Sequence, residues 1–154
     1  MEQKREFNEN DRKKQFLWLY QDSKCRVTRL DEQLEELEEN RISIRLVGDG
    51  MPHGNGKSDL SEYASKHDEI ERDIVTERYR SVQQFILVRK SIEMMENENE
   101  KTILTYRSLR GYDWDNIATK TGYCLQWVHK LHSRALGHFK IPKEAIESDT
   151  QPVV

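Results

Sequence analysis

From Phe16 onward the apolar positions recur at alternating steps of four and three: Phe16, Tyr20, Ser23, Val27, Leu30, Leu34, Leu37, Arg41 and Ile44. That rhythm is a heptad seam along one long helix, interrupted at Ser23 and Arg41. Asp11 is the expected helix start. Phe16–Tyr20 is apolar all round, so that end is expected to be buried on more than one side. A second 3-4 rhythm runs through Leu60, Tyr63, His67, Ile70 and Ile74, then widens through Val82, Phe85, Ile86, Val88, Ile92 and Met95. The widening predicts that the far end of this second helix packs on more than one neighbour. Between the two rhythms, residues 47–58 contain four of the chain's seven glycines and read as a loop. Ser58 or Asp59 is the expected cap of the second helix, with Glu62 placed for a capping box on Asp59.

Asn97-Glu98-Asn99-Glu100 breaks the pattern and restarts it. Glu98 and Glu100 suit a helix N-terminus, and the carboxylates Glu93, Glu96, Glu98 and Glu100 together read as solvated faces and caps. Ile103, Leu104, Tyr106, Arg107 and Leu109 predict a short helix ended by Gly111. Asp113 should cap the next helix, with Trp114, Ile117 and Ala118 turned inward. Gly122 then supplies a turn that needs positive φ, and a further helix runs from Cys124 to about Phe139, where Pro142 stops it. Small Ala118, Gly122 four residues on, and apolar Val128 and Leu131 together have the spacing of a helix-turn-helix, whose second helix commonly enters a DNA major groove. The expected fold is all-α: residues 1–96 form a long helical hairpin or coiled coil, 97–143 a helix-turn-helix domain, and 144–154 a disordered tail.

Charge sharpens this picture. The net charge is -3 over 154 residues, with 34% charged and 35% apolar residues. Residues 97–143 carry 8 Lys and Arg against 4 Asp and Glu, whereas 1–96 carry 17 against 21. The basic stretch therefore coincides with the helix-turn-helix, and its distribution matters more for DNA than the average does. No run of about 18 apolar residues predicts a membrane span. The polar N-terminus does not read as a secretory signal. Two cysteines, Cys25 and Cys124, give no disulfide framework, which fits a reducing cytosol.

Three constellations carry less. Gly56-Lys57-Ser58 ends like a phosphate-binding loop, but Met51 stands where the earlier glycine belongs and a charged helix precedes it. His129, His132 and His138 share one helix without cysteine or carboxylate at supporting spacing, so no metal site is expected there. His129 reads as a contact to a base or phosphate, and His132 as packing. No nucleophile–His–acid set stands out, so no enzyme and no cofactor are expected.

The segments Asn99–Arg107, Gly111–Ala118, Gly122-Tyr123 and Val128–Leu136 resemble region 4 of bacterial sigma factors. The whole chain is similar to small phage and prophage transcriptional regulators of the ArpU and RinA type, in which a long helical part and a Met-Pro-Gly-rich loop, here Gly48 to Asp59, precede such a helix-turn-helix. The resemblance implies sequence-specific binding to phage promoter DNA in the cytoplasm of a bacterial host, with late-gene control as the type. It places base contacts at Leu125, Gln126, His129, Lys130 and Ser133. Gln126 suits adenine, and Lys130 suits guanine O6 and N7. Cys124 departs from the pattern where Ser or Thr is usual, and Trp127 and Leu125 are bulkier and less polar than expected. Phosphate contacts are expected from Lys101, Arg107, Arg110, Lys120, Arg134 and Lys140. One helix-turn-helix discriminates little, so a homo-oligomer, a dimer first, or a host RNA polymerase partner is expected. The alternative is a helical assembly or interaction protein: a polymerase-binding factor or a small terminase-like packaging subunit.

Overall fold

In the computed structural model, residues 8–47 and 56–148 are described, with side chains for 8–41 and 60–145. The described residues form helices and no strand: α1 (Glu9–Val47), α2 (Gly56–Glu93), α3 (Glu98–Leu104), α4 (Trp114–Thr121), α5 (Leu125–His138) and α6 (Lys143–Ser148). The all-α expectation holds. The glycine-rich residues 48–55 lie outside the described residues, as do the side chains of Ser58 and Asp59. The second helix begins at Gly56, ahead of both expected caps. The first begins at Glu9, where the Asn8 carbonyl accepts the amides of Asp11 (2.8 Å) and Arg12 (3.3 Å). Asp11 is therefore already inside the helix.

The chain divides into two compact units, residues 23–81 and residues 1–22 with 82–154. The expected boundary at 96/97 does not coincide with that division. Phe16, Leu17, Val88, Ile92 and Met95 share one core with Leu104, Leu109, Ala135, Leu136 and Phe139. An apolar helix end must be covered, and the short C-terminal helices supply the cover.

Within 23–81, α1 and α2 run antiparallel. Arg26 pairs with Glu77 at 3.1 Å, Asp31 with Arg78 at 3.2 Å and Glu38 with His67 at 3.1 Å. Seam residues Val27, Leu30, Leu34 and Leu37 are half-buried. Ser23 is fully buried and accepts an N–H of Arg26 (3.1 Å), which explains a polar residue in an apolar register.

In the other unit, the wider apolar face of α2 is only partly used. Val88 and Ile92 are buried, as is Met95 just past the helix end, but Val82 and Ile86 stay exposed. Lys13 is buried, and its ammonium donates to the Leu136 carbonyl at 2.9 Å. That carbonyl lies in the last turn of α5, where the helix dipole favours a cation.

Asn97 caps α3, its side chain accepting the amides of Asn99 (3.0 Å) and Glu100 (3.2 Å). Glu100 is a correction to its solvated reading. It is buried, and His138 Nδ1 meets both carboxylate oxygens, at 2.8 and 3.0 Å. A buried carboxylate needs such a partner. Beyond α3 the chain widens into a π-helical turn, Thr105–Leu109. Residues 143–148 form α6, where a disordered tail was expected. Ile141 and Ala145 pack on the core, and the Pro142 carbonyl accepts the Ala145 amide at 3.1 Å. Apolar contact thus extends the order past Pro142.

Candidate nucleic-acid interface

The helix-turn-helix rests on a small second core of Ile103, Ile117, Val128 and Leu131, flanked by Tyr106, Tyr112, Trp114, Ala118 and Tyr123. Asp113 starts α4, its carboxylate accepting the Asn116 amide at 2.8 Å. Gly122 ends α4 at φ 73°, its N–H donating to the Ala118 carbonyl at 2.9 Å. The turn that the spacing predicted is therefore built by the residues named for it. Cys124 stands at the N-cap of α5 and makes no side-chain cap bond.

Leu125, Gln126, His129, Lys130 and Ser133 are all exposed. At 3.6 residues per turn they fall within an arc of about 140° on α5. Val128, Leu131 and Ala135 are buried within a separate arc of about 60°. Over the first three turns of α5 one face therefore anchors the helix and another carries all five candidate readers; only in the last turn does a buried residue, Leu136, fall on the reader side. The His129 imidazole packs, tilted, against the Trp114 ring, 4.6 Å away between centroids. His132 packs edge-on to the same ring at 4.8 Å. Burial, aided by the charges of Lys14, Arg107 and His129, lowers the His132 pKa from 6.5 to about 4. It is neutral at physiological pH.

The cations expected at phosphates divide into two groups. Arg134 is exposed, its guanidinium 5.5 Å from the Trp127 ring, and Lys130 holds its ammonium 5.7 Å from the same ring. Trp127 looked too bulky for a DNA-facing helix. It instead positions two cations at the edge of the reader face, a cation–π role. Lys120 lies 4.9 Å from the Tyr112 ring and is exposed. Arg110 and Lys140 are exposed and have no ion-pair partner among the described residues.

Arg107 and Lys101 depart from the expectation. The Arg107 guanidinium lies 5.1 Å from the Trp18 ring and 4.5 Å from the Trp114 ring, and it donates to the Tyr112 carbonyl at 3.1 Å. Its faces and one donor are occupied inside the protein. The Lys101 ammonium is half-buried between Glu98 (3.1 Å) and Glu93 (3.9 Å). Both lie close to the helix-turn-helix in sequence, which is why charge counting included them.

Gln21 is a residue the sequence reading missed. Its Nε2 donates to the Ser108 (2.9 Å) and Leu109 (3.2 Å) carbonyls, which the π-helical turn leaves without helical partners. Nothing in its heptad position marks that role. Among the described residues no helix is long and apolar enough to cross a membrane. Comparison with protein-family models, with curated proteins and with solved structures finds no match for this chain.

Proposed function

We propose that the protein binds duplex DNA sequence-selectively through α5 and regulates transcription from phage promoters, in the manner its resemblance to ArpU- and RinA-type regulators implies. The observation that carries this reading is the segregation of α5. Leu125, Gln126, His129, Lys130 and Ser133 are exposed together, while Val128, Leu131 and Ala135 fix the helix from behind. Gln126 and Lys130 offer bidentate chemistry to adenine and guanine edges. Arg110, Lys120, Arg134 and Lys140 are the remaining pool for phosphate contacts.

Selection from a randomised duplex pool tests it. The native protein should enrich a motif, and Gln126→Ala should lose preference at one position, at a cost of about 1–3 kcal/mol. No duplex binding at low salt would overturn the reading.

A second reading, a helical assembly or packaging subunit, draws on unit 23–81. There Val75 and Tyr79, four residues apart on α2, are 68% and 67% exposed. Exposed apolar residues at helical spacing suit a protein partner. Light scattering separates the two readings: a dimer favours the regulator, and a large ring favours the packaging subunit.

A further inference from the structure

A second cluster of chemistry stands in unit 23–81. His67, Asp68 and Glu71 lie on α2, and one donor atom from each falls within 4.8 Å of the others. The His67 ring is held from two sides. Its Nε2 is 3.1 Å from Glu38 Oε1 on α1, and the Tyr63 ring lies 5.8 Å away between centroids. Its Nδ1 is 3.7 Å from Glu71 Oε1.

The two nitrogens are therefore in different situations. Nε2 is at hydrogen-bond distance from a carboxylate. When it carries the ring proton and donates to Glu38, Nδ1 presents a lone pair toward Glu71. At 3.7 Å the Nδ1–Glu71 separation is long for a hydrogen bond. It is close to the roughly 3.3–3.4 Å edge between two ligands of a tetrahedral zinc ion, given bonds of about 2.0–2.1 Å. A carboxylate on the far nitrogen of a ligating histidine is the usual way such a ring is oriented and its basicity raised.

The charges point the same way. Among the described residues, neither Asp68 nor Glu71 has a lysine or arginine partner at its carboxylate. Arg72 donates to the Asp68 backbone carbonyl at 3.3 Å, not to its side chain. Arg41 is taken up by the Tyr63 ring, 5.2 Å away. With Glu38, three carboxylates thus surround one imidazole.

We propose that His67 Nδ1, Asp68 and Glu71 form a binding site for a divalent transition-metal ion of the zinc class, with Glu38 as its positioning residue. One imidazole and two carboxylates suit zinc, whereas calcium and magnesium prefer oxygen alone. Asp68 and Glu71 are exposed, and closing the 4.8 Å spread to a ligand edge needs a shift of about 1.4 Å. Water would complete the shell. Through Glu38 the ion would couple α2 to α1 and stiffen the hairpin of this unit.

Calorimetric titration of the chelator-treated full chain with Zn²⁺, alongside Co²⁺ absorption spectra, tests the site. The native protein should bind one ion with a raised melting temperature, and His67→Ala and Glu71→Gln should each lose at least about tenfold in affinity. Glu38→Gln should weaken binding by about 10–100-fold while the position of the Co²⁺ bands stays unchanged, because it does not touch the metal. Circular dichroism without metal establishes that each variant is folded. Absence of Zn²⁺ binding, or equal affinity in native protein and folded His67→Ala, would overturn the proposal. The second result would place the ion on Cys25, Cys124 or the α5 histidines.

Discussion

Arg107 holds its guanidinium between two indole rings, so its substitution should read as lost stability rather than lost DNA affinity. A cation–π contact is worth about 0.5–2 kcal/mol according to its desolvation, and Arg107 makes two besides its bond to Tyr112. Arg107→Ala should lower the denaturation midpoint by the equivalent of about 1–3 kcal/mol, whereas Arg134→Ala should leave the midpoint nearly unchanged and weaken DNA binding. Equal midpoints for the two variants would refute this division.

His132 makes a pH prediction. Burial holds its folded pKa at about 4, below the ordinary 6.5. The unfolded chain therefore takes up a proton between those values that the folded protein does not. The stability from the neutral ring is whole above pH 6.5 and is lost as pH falls toward about 4. With its partial solvation discounted, the contribution is about 2–3 kcal/mol at most. His132→Gln should flatten the difference between melting temperatures at pH 7 and pH 4.5, and an unchanged difference would count against it. The exposure of Gln126 and Lys130 was legible in the sequence, because helical periodicity set them opposite Val128 and Leu131. The placement of Arg107 was not, because its neighbour Trp18 lies 89 positions earlier.

Among the elements, the two positive-φ glycines of the described residues do different work. Gly122 turns α4 into α5 at φ 73°, and a Cβ there would meet nothing within 4 Å. Gly122→Ala should cost only the left-handed backbone penalty, about 1–2 kcal/mol. Gly111 has φ 69°, and a Cβ there would come 2.8 Å from Gln21 Oε1. Gly111→Ala should therefore cost more than Gly122→Ala, since it also displaces the side chain that serves the Ser108 and Leu109 carbonyls. Urea denaturation of both variants checks the order, and a reversed order would remove Gln21 from the account. Gly122 was readable from turn chemistry, as was the Asp113 cap. The Gly111–Gln21 contact was not, since it joins α1 to the end of the π-helical turn.

At the scale of the molecule, the acidic average of the chain hides a basic helix-turn-helix. With Arg107 and Lys101 engaged internally, Arg110, Lys120, Arg134 and Lys140 are the cations left for the proposed phosphate contacts. Full engagement of those four gives a slope of log affinity against log salt of about -3.6 per bound chain. Fluorescence anisotropy between about 50 and 200 mM salt measures it. A slope near zero would count against phosphate contact by this surface.

The sequence by itself determined the helices as far as α5, the all-α class, the helix-turn-helix turn and the face of α5 that stays exposed. Those follow from periodicity, caps and φ preferences, which act over a few residues. Tertiary structure alone decided that the ends of the long helices share a core with the C-terminal helices, that Lys13 serves the end of α5, and that Glu100 is buried against His138. Tertiary structure also decided which cations remain exposed. Each of these joins residues far apart in the chain, and no local pattern carries the distance between them.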